Sequence, residues 1–181
     1  AKDEISAIKA SFERAKAFLN AGDAKTAEKI CRTSINNISN GDPNLQVLLC
    51  VALMRQGRSA AAVKRLKHTL RMFPEFPQAH EELGNALLAQ NKPEKAIEAF
   101  KISIELNPKN PQALIKLGKI YKALDRNQEA DEYYKKALAL DPTQEQLATA
   151  TQLFVRGQIQ EAEKICRDIL KEKPDDVNGL V

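Results

Sequence analysis

Prolines recur along this chain at a fixed interval of 34 residues, and this period constrains the fold more than any other feature of the sequence. Two series keep the interval: Pro43, Pro77 and Pro111 in the first, and Pro74, Pro108 and Pro142 in the second. A period of roughly 20–50 residues is typical of stacked repeats, in which no repeat can bury its apolar face alone. The sequence therefore predicts a row of similar units that share one continuous core.

The apolar positions between the prolines keep the same interval. Each repeat has a Leu, a small residue and a large apolar residue in its first half, and an Ala, a large apolar residue and a Pro in its second. The three sets are Leu49, Cys50, Leu53, Ala62, Leu66 and Pro74; Leu83, Gly84, Leu87, Ala96, Phe100 and Pro108; and Leu117, Gly118, Tyr121, Ala130, Tyr134 and Pro142. Residues three and four apart share a helical face, so each repeat predicts two helices, which approach closely at small residues such as Gly118 and Ala130.

This pattern resembles the tetratricopeptide repeat family, which has a Leu-Gly pair followed by an aromatic residue, an Ala, an aromatic residue and a Pro. The segment from Pro111 to Pro142 matches it best, and the hexapeptide Ala-Glu-Lys-Ile-Cys-Arg, present at 27–32 and 162–167, extends the repeats towards both ends. The resemblance implies an all-α fold, a right-handed superhelical α-solenoid of helix–turn–helix units. We predict a single solenoid over residues 1–181. Its units are at about 8–42, 43–76, 77–110, 111–142 and 143–176, and residues 177–181 begin a truncated sixth unit.

Glycines and prolines mark the ends of the helices. Gly22, Gly57 and Gly157 are expected in the turns between the two helices of a repeat, where glycine tolerates a positive φ. Pro93 suits the first turn of a helix, which does not need its missing N–H. Asn107-Pro108 and Asp141-Pro142 are expected to end second helices, because the residue before proline avoids the helical region. The junction from Asp141 to Glu145 is two residues short, so we expect an altered packing angle there.

The composition indicates an ordered, soluble protein, with 43% apolar and 29% charged residues. No apolar run reaches the roughly 18 residues of a membrane span, so no membrane partner is expected. The three cysteines, Cys31, Cys50 and Cys166, form no CxxC motif and are interpreted as packing residues of a cytoplasmic protein. The absence of an initiating Met favours a fragment of a longer bacterial protein of this family.

The sequence contains no arrangement of residues that predicts catalysis, a cofactor or a metal site. His68 and His80 are twelve residues apart without a Cys or carboxylate at metal-ligand spacing, and we expect His80 to have a packing role. Phosphate-binding, nucleophile-elbow and zinc-protease motifs are missing. We therefore predict that this segment is not an enzyme, while a catalytic domain elsewhere in a longer chain is left open.

In the family that the repeats resemble, the first helix of each unit lines a concave groove. The family's ligand-facing positions fall here on a mixed set of apolar, amide and charged residues. The predicted peptide-binding residues are Asn44, Val47, Val51, Met54, Arg55, Gln78, Glu81, Asn85, Leu88, Gln112, Ile115, Lys119 and Lys122. The amides of Gln78 and Asn85 could bond a peptide backbone, because an amide both donates and accepts. An alternative is that several of these residues are solvated helix faces.

Three functions are compatible with this sequence. The first is a non-catalytic scaffold or adaptor that binds a protein or peptide. The second is a regulatory or substrate-presenting arm of a larger transferase, since the duplicated hexapeptide resembles repeats that precede such domains in some bacterial proteins. The third is a nucleic-acid-binding repeat that uses the basic second helix of unit two. A nucleic-acid partner is the less favoured, because single-strand binders interleave aromatic side chains for base stacking and unit two lacks them.

The C-terminal end of the stack is also expected to expose an apolar edge. Ile159, Ile165 and Ile169 lie on the second helix of unit five, where a following repeat would normally cover them. Solenoids need a polar capping element at each end. Self-association through this edge is therefore a further prediction.

Overall fold

A computed structural model of the protein describes residues 2–37, 42–140 and 143–172. Within these ranges the chain forms helices joined by short turns. They are α1 (Lys2–Asn20), α2 (Ala24–Asn36), α3 (Pro43–Arg55), α4 (Ser59–Met72), α5 (Pro77–Leu88), α6 (Pro93–Leu106), α7 (Pro111–Ala123), α8 (Asn127–Leu140), α9 (Thr143–Val155) and α10 (Ile159–Glu172). Helices α3, α5, α7 and α9 begin where the predicted units begin. Helix α1 starts at Lys2, well before residue 8, because the Ala-, Glu- and Lys-rich start of the chain favours helix and contains no proline.

Helix starts follow the rules of capping and of proline. Asp23 and Asp42 accept hydrogen bonds from the backbone N–H groups of Thr26 and Leu45, at 3.0 and 2.8 Å, so each satisfies a donor that the helix leaves open. Prolines occupy the first turns of α3, α5, α6 and α7. The predicted position of Pro93 in a first turn is thus confirmed.

The turns inside the repeats require a left-handed backbone. Gly22, Gly57 and Gly157 have φ values of 82°, 74° and 78°, which confirms their predicted place. In repeats three and four the same conformation is adopted by Asn91 and Asp125, with φ of 56° and 58°. Asn and Asp tolerate this region better than other residues with a side chain, so the turn survives without glycine.

One of the two predicted helix stops lies within the described residues. Helix α6 ends at Leu106, directly before Asn107-Pro108, as predicted. The other predicted stop, Asp141-Pro142, lies outside the described residues, as does the predicted sixth unit at 177–181.

The chain divides into two compact units, and the first contains α1 to α6 and extends to Pro108. Each helix packs against the next one along the chain, and α3 also contacts α1 and α5. Helices α1, α3 and α5 therefore form one row, while α2, α4 and α6 form a second. The core lies between the rows, and its largest fully buried side chains are Leu45, Leu49, Leu53, Leu66 and Phe100. Three stacked helix pairs thus share one interior, as the repeat pattern predicted.

Two cysteines belong to this core. Cys31 and Cys50 are fully buried and free, and burial raises the pKa of their thiols to about 11 and about 12. Both thiols therefore stay protonated at neutral pH and behave as small apolar groups, as predicted. Cys166, in α10, is only half-buried.

Polar contacts join repeats one and two at their turns. Arg55 donates to the Leu19 carbonyl oxygen, and Gln56 and Arg58 donate to Glu28 at 2.8 and 3.0 Å. Burial acts to raise the pKa of the Glu28 carboxyl, but hydrogen bonds from Gln56, Arg32 and Arg58 outweigh it and hold that pKa below its ordinary value. The turn of repeat two is therefore held against repeat one by hydrogen bonds, several of which involve charged side chains.

Small residues let the two helices of a repeat approach closely. A Cβ atom added to Gly84 would lie 2.6 Å from Cε2 of Phe100, and one added to Gly118 would lie 2.7 Å from Cε1 of Tyr134. Real Cβ atoms do not come that near, so the ring of each aromatic residue occupies the space that a side chain would need. The predicted close approach at Gly118 is confirmed.

The second compact unit contains α7 to α10. Helix α7 packs against α8, and α9 packs against α10. Tyr121 is fully buried and stacks on Tyr133 with ring centroids 5.5 Å apart, and the guanidinium of Arg126 lies 4.5 Å from the centre of the Tyr121 ring. An aromatic residue of the repeat pattern thus anchors the turn between α7 and α8.

Candidate protein-binding surface

In the first unit, one row of helices offers a continuous surface. Helices α1, α3 and α5 contact one another directly, whereas the helices of the second row make no comparable contacts with each other. When the helices of one row lie closer together than those of the other row, the stack curves towards the row with the closer helices. The exposed side of α1, α3 and α5, here called the inner face, is therefore the concave side of this unit.

The apolar part of the inner face comes from α3. Val47, Val51 and Met54 are half-buried and pack against the core on one side, which leaves part of each side chain accessible. Asn44 is exposed at the start of the same helix. Arg55 is exposed as well, but its guanidinium donates to the Leu19 carbonyl oxygen, so it fastens two repeats together. Four of the five predicted residues on α3 therefore remain available to a ligand.

Helix α5 supplies the polar part of the inner face. Gln78 is exposed, Glu81 and Asn85 are half-buried, and Leu88 is 37% exposed. The Asn85 amide donates one hydrogen bond to Glu82 at 3.1 Å, which orients its side chain. An amide has two donor hydrogens and an accepting oxygen, so this bond uses only part of its capacity.

The remaining predicted residues lie on α7, in the second unit. Gln112, Lys119 and Lys122 are exposed, and Ile115 is half-buried. Their spacing of three and four places them along one side of the helix. In the second unit they form a short surface with a cationic end.

A cleft lies on the side of the first unit opposite the inner face. The sequence predicted only part of it. It has a volume of about 570 Å³ and is formed by α2, α3 and α4. Its polar lining consists of Arg32, Gln46, Lys64, Arg65, His68 and Arg71. We call this site the basic cleft. The basic second helix of unit two, noted in the sequence, is α4, but nothing in the sequence indicated that Arg32 of the preceding repeat joins it.

A second cleft, of about 510 Å³, lies between α1 and α2. Its lining is mainly hydroxyl-bearing and aliphatic, with Arg14 and Lys29 as its charged residues. This lining is polar but carries less charge than the basic cleft.

The predicted apolar edge at the C-terminal end is only partly present. Ile159 is 59% exposed and lies near Phe154 and Val155 in the sequence, which are 65% and 79% exposed, but Ile169 is buried and Ile165 is half-buried. Self-association through the exposed remainder stays a prediction.

Each of the two histidines has a polar neighbour in the first unit. Nε2 of His80 lies 2.8 Å from the Pro74 carbonyl oxygen, so its N–H donates across the turn between α4 and α5. His68 lies 3.3 Å from Arg71 through Nδ1. Among residues 2–37, 42–140 and 143–172, no three His, Cys, Asp or Glu side chains are grouped so that they could hold a metal ion. In the same ranges, no helix has the length and apolar character needed to cross a membrane.

Comparison with known families agrees with the repeats seen in the structure. A family model described as Tetratricopeptide repeat matches residues 49–111 and 83–145, which together are more than half of the chain. The chain belongs to this family. Its all-α class and its stacked helix–turn–helix units are those that the sequence predicted, and tetratricopeptide repeat proteins are generally non-catalytic scaffolds that bind other proteins.

Solved structures show the same fold. A thermophilic tetratricopeptide repeat protein of Thermus thermophilus, TTC0263, has 18% sequence identity and a TM-score of 0.69, with 94% of each chain covered. MamA has 21% identity and a TM-score of 0.62, over 91% of this chain and 96% of its own. A tetratricopeptide repeat protein from Parabacteroides merdae has 22% identity and a TM-score of 0.63, over 94% of this chain and 68% of its own. No curated protein sequence matches the chain.

Proposed function

We propose that this protein is a non-catalytic scaffold that binds an extended peptide segment of a partner along the inner face of α1, α3 and α5. The observation that supports this most is the half-buried apolar strip of Val47, Val51 and Met54 on a concave surface. Such side chains can lose the rest of their accessible area to a ligand without rearrangement. Each fully buried aliphatic side chain contributes about 1.5–3 kcal/mol, so partial burial of three supports a useful affinity.

Polar groups beside the strip would give the peptide a direction. Gln78 and Asn85 lie two helical turns apart on α5, and Asn85 is oriented by its bond to Glu82. An extended peptide has a donor and an acceptor at each residue, which an amide side chain can pair with. We therefore propose apolar peptide side chains over α3 and backbone hydrogen bonds to α5.

A selected peptide tests this proposal. Peptides are chosen from a phage-displayed random library on the immobilised protein, and their affinities are measured by fluorescence anisotropy. We expect Gln78→Ala with Asn85→Ala to weaken binding by about tenfold, which corresponds to about 1.4 kcal/mol. Circular dichroism should show an unchanged helical signal, because both residues are on the surface.

The matched control changes two exposed residues on the other row. Glu94→Ala with Glu98→Ala alters α6 and should leave affinity within about twofold, a difference of about 0.4 kcal/mol. Selected peptides that respond to the control but not to the α5 pair would contradict the inner-face assignment.

A further inference from the structure

The basic cleft concentrates positive charge that the fold does not require. Its lining includes four basic side chains, those of Arg32, Lys64, Arg65 and Arg71. Among its described lining residues there is no Asp or Glu. Like charges held close together repel one another, so the cluster costs stability unless an anion compensates it.

The neighbouring repeat shows that the packing of the helices does not require the charges of Lys64 and Arg71. A shift of 34 residues places Glu98 at the position of Lys64 and Glu105 at that of Arg71. All four residues are exposed on the second helix of their repeat. A tetratricopeptide repeat therefore accepts either sign at these positions, and the positive set in α4 needs another explanation.

The cleft is also partly organised before any ligand arrives. Nη1 of Arg65 donates to Oε1 of Gln46 at 2.7 Å, and this bond joins α4 to α3. Arg32 pairs with Glu28 at 2.8 Å, while Glu28 also pairs with Arg58. One carboxylate is thus shared by two guanidinium groups, and the region keeps its excess of positive charge. Side chains that are already held lose less conformational entropy when a ligand binds.

We propose that the basic cleft binds a short acidic segment of a partner protein, with two or more Asp or Glu side chains within about four residues. Lys64 and Arg71 are seven residues apart, about 10 Å along the helix. An extended peptide advances about 3.3 Å per residue, so three to four residues span this distance. A cleft of about 570 Å³ is large enough to take the side chains of such a segment. Guanidinium groups pair with carboxylates through two parallel hydrogen bonds, which suits an Arg-rich lining.

The short extent of the positive charge, on α2 and α4, favours a peptide over a nucleic acid. A phosphate backbone that continued along the outer side of the stack would meet Glu98 and Glu105 on α6. The described lining of the cleft contains no Phe, Tyr or Trp on which a base could stack. A short acidic peptide needs neither a long basic track nor an aromatic platform.

Fluorescence anisotropy with a defined probe tests the site. The probe is a fluorescein-labelled hexapeptide of alternating Asp and Glu, and a hexapeptide of Asn and Gln is its neutral counterpart. We expect the acidic probe to bind, with an affinity that falls as salt is raised from about 50 to about 300 mM, because exposed charges are screened. The neutral hexapeptide should not bind.

Variants then locate the binding. Lys64→Glu with Arg71→Glu copies the residues of repeat three and should weaken the acidic probe at least about tenfold. The matched control, Lys95→Glu with Lys101→Glu, makes the same change in net charge on the exposed side of α6 and should change the affinity less than about twofold. The neutral pair Lys64→Gln with Arg71→Gln should also weaken binding, and it keeps the test valid if the charge reversal unfolds the protein.

Several results would overturn the proposal. One is an equal loss in the cleft variant and the control, which would mean that only net charge matters. Another is an absence of binding by the acidic probe up to about 1 mM, an affinity weaker than about −4 kcal/mol. Tighter binding of an oligouridylate octamer, or of phosphatidylserine vesicles, with the same dependence on Lys64 and Arg71 would assign the cleft to a different class of partner.

Discussion

Repeat two (α3 and α4) and repeat three (α5 and α6) can be aligned residue by residue through a shift of 34, so each position has a counterpart. At the closest point between the helices, repeat two has Cys50 and Leu66, and repeat three has Gly84 and Phe100. All four are buried. A larger residue on one helix is matched by a smaller one on the other. The packed volume is therefore conserved while its distribution between the two helices is not.

On the outer side the two repeats differ without compensation. Lys64 and Arg71 face solvent in repeat two, and Glu98 and Glu105 do so in repeat three. Packing does not restrict the residue type at these four positions, since they are on the surface. Surface substitutions usually change stability by less than about 0.5 kcal/mol. The comparison teaches that buried residues determine how the two helices of a repeat pack, whereas exposed residues can vary and form a binding site. Three sets of substitutions test the conclusion about the interior.

The largest effect is expected at a buried alanine that the two repeats share. Ala62 and Ala96 are fully buried at the contact between the two helices of their repeats. Ala96→Arg would force a long charged side chain into this contact, and we expect a loss of about 3–5 kcal/mol in the free energy of unfolding. Urea denaturation followed by circular dichroism measures this loss. Glu98→Arg, on the exposed side of the same helix, should be nearly neutral, and native-like stability of Ala96→Arg would refute the register.

A smaller effect is expected from exchanging the packing pair. Gly84→Cys gives repeat three the residue of repeat two, but its Cβ would lie 2.6 Å from the Phe100 ring. Overpacking of this kind costs about 1–3 kcal/mol, although the helix itself gains from losing a glycine. Adding Phe100→Leu restores the pair found in repeat two and should recover at least about 1 kcal/mol, measured as the coupling in a double-mutant cycle. Additive effects of the two changes would show that these positions are packed independently.

The smallest effect concerns a buried hydroxyl group. Oγ1 of Thr69 donates to the Arg65 carbonyl oxygen at 3.1 Å, whereas Oγ of its counterpart Ser103 has no hydrogen-bond partner among the described residues. Thr69→Ala should cost about 1–2 kcal/mol, because it removes a hydrogen bond and a methyl group. Ser103→Ala should change stability by less than about 0.5 kcal/mol or increase it, since no hydrogen bond is lost. Thermal denaturation of both variants compares them, and an equal loss in the two would remove the distinction.

Much of the fold could be predicted because the repeat encodes it locally. Proline positions fixed the starts of α3, α5 and α7, and glycine marked the turns at Gly22, Gly57 and Gly157. The turns at Asn91 and Asp125 were missed, because these residues are common in many loop conformations and give a weaker signal than glycine. Unit boundaries were thus more predictable than the chemistry of each turn.

The candidate binding surface was predictable only as positions on helices. The exposed or half-buried state of Val47, Gln78 and Asn85 follows from helical periodicity. The bond from Arg55 to the Leu19 carbonyl oxygen could not be foreseen, since it joins residues of two different repeats. Its predicted place among the ligand-facing residues took no account of this structural contact.

The sequence by itself determined the number of helices in each repeat, the turns that join them and the small residues at which they touch. These properties depend on neighbours within about four positions or on one repeated pattern. Only the tertiary structure decided which polar groups meet between repeats. Arg32 joins Lys64 and Arg71 in the basic cleft because α2, α3 and α4 stack at particular distances and angles. That geometry results from the packing of whole helices, so no single segment of the sequence encodes it.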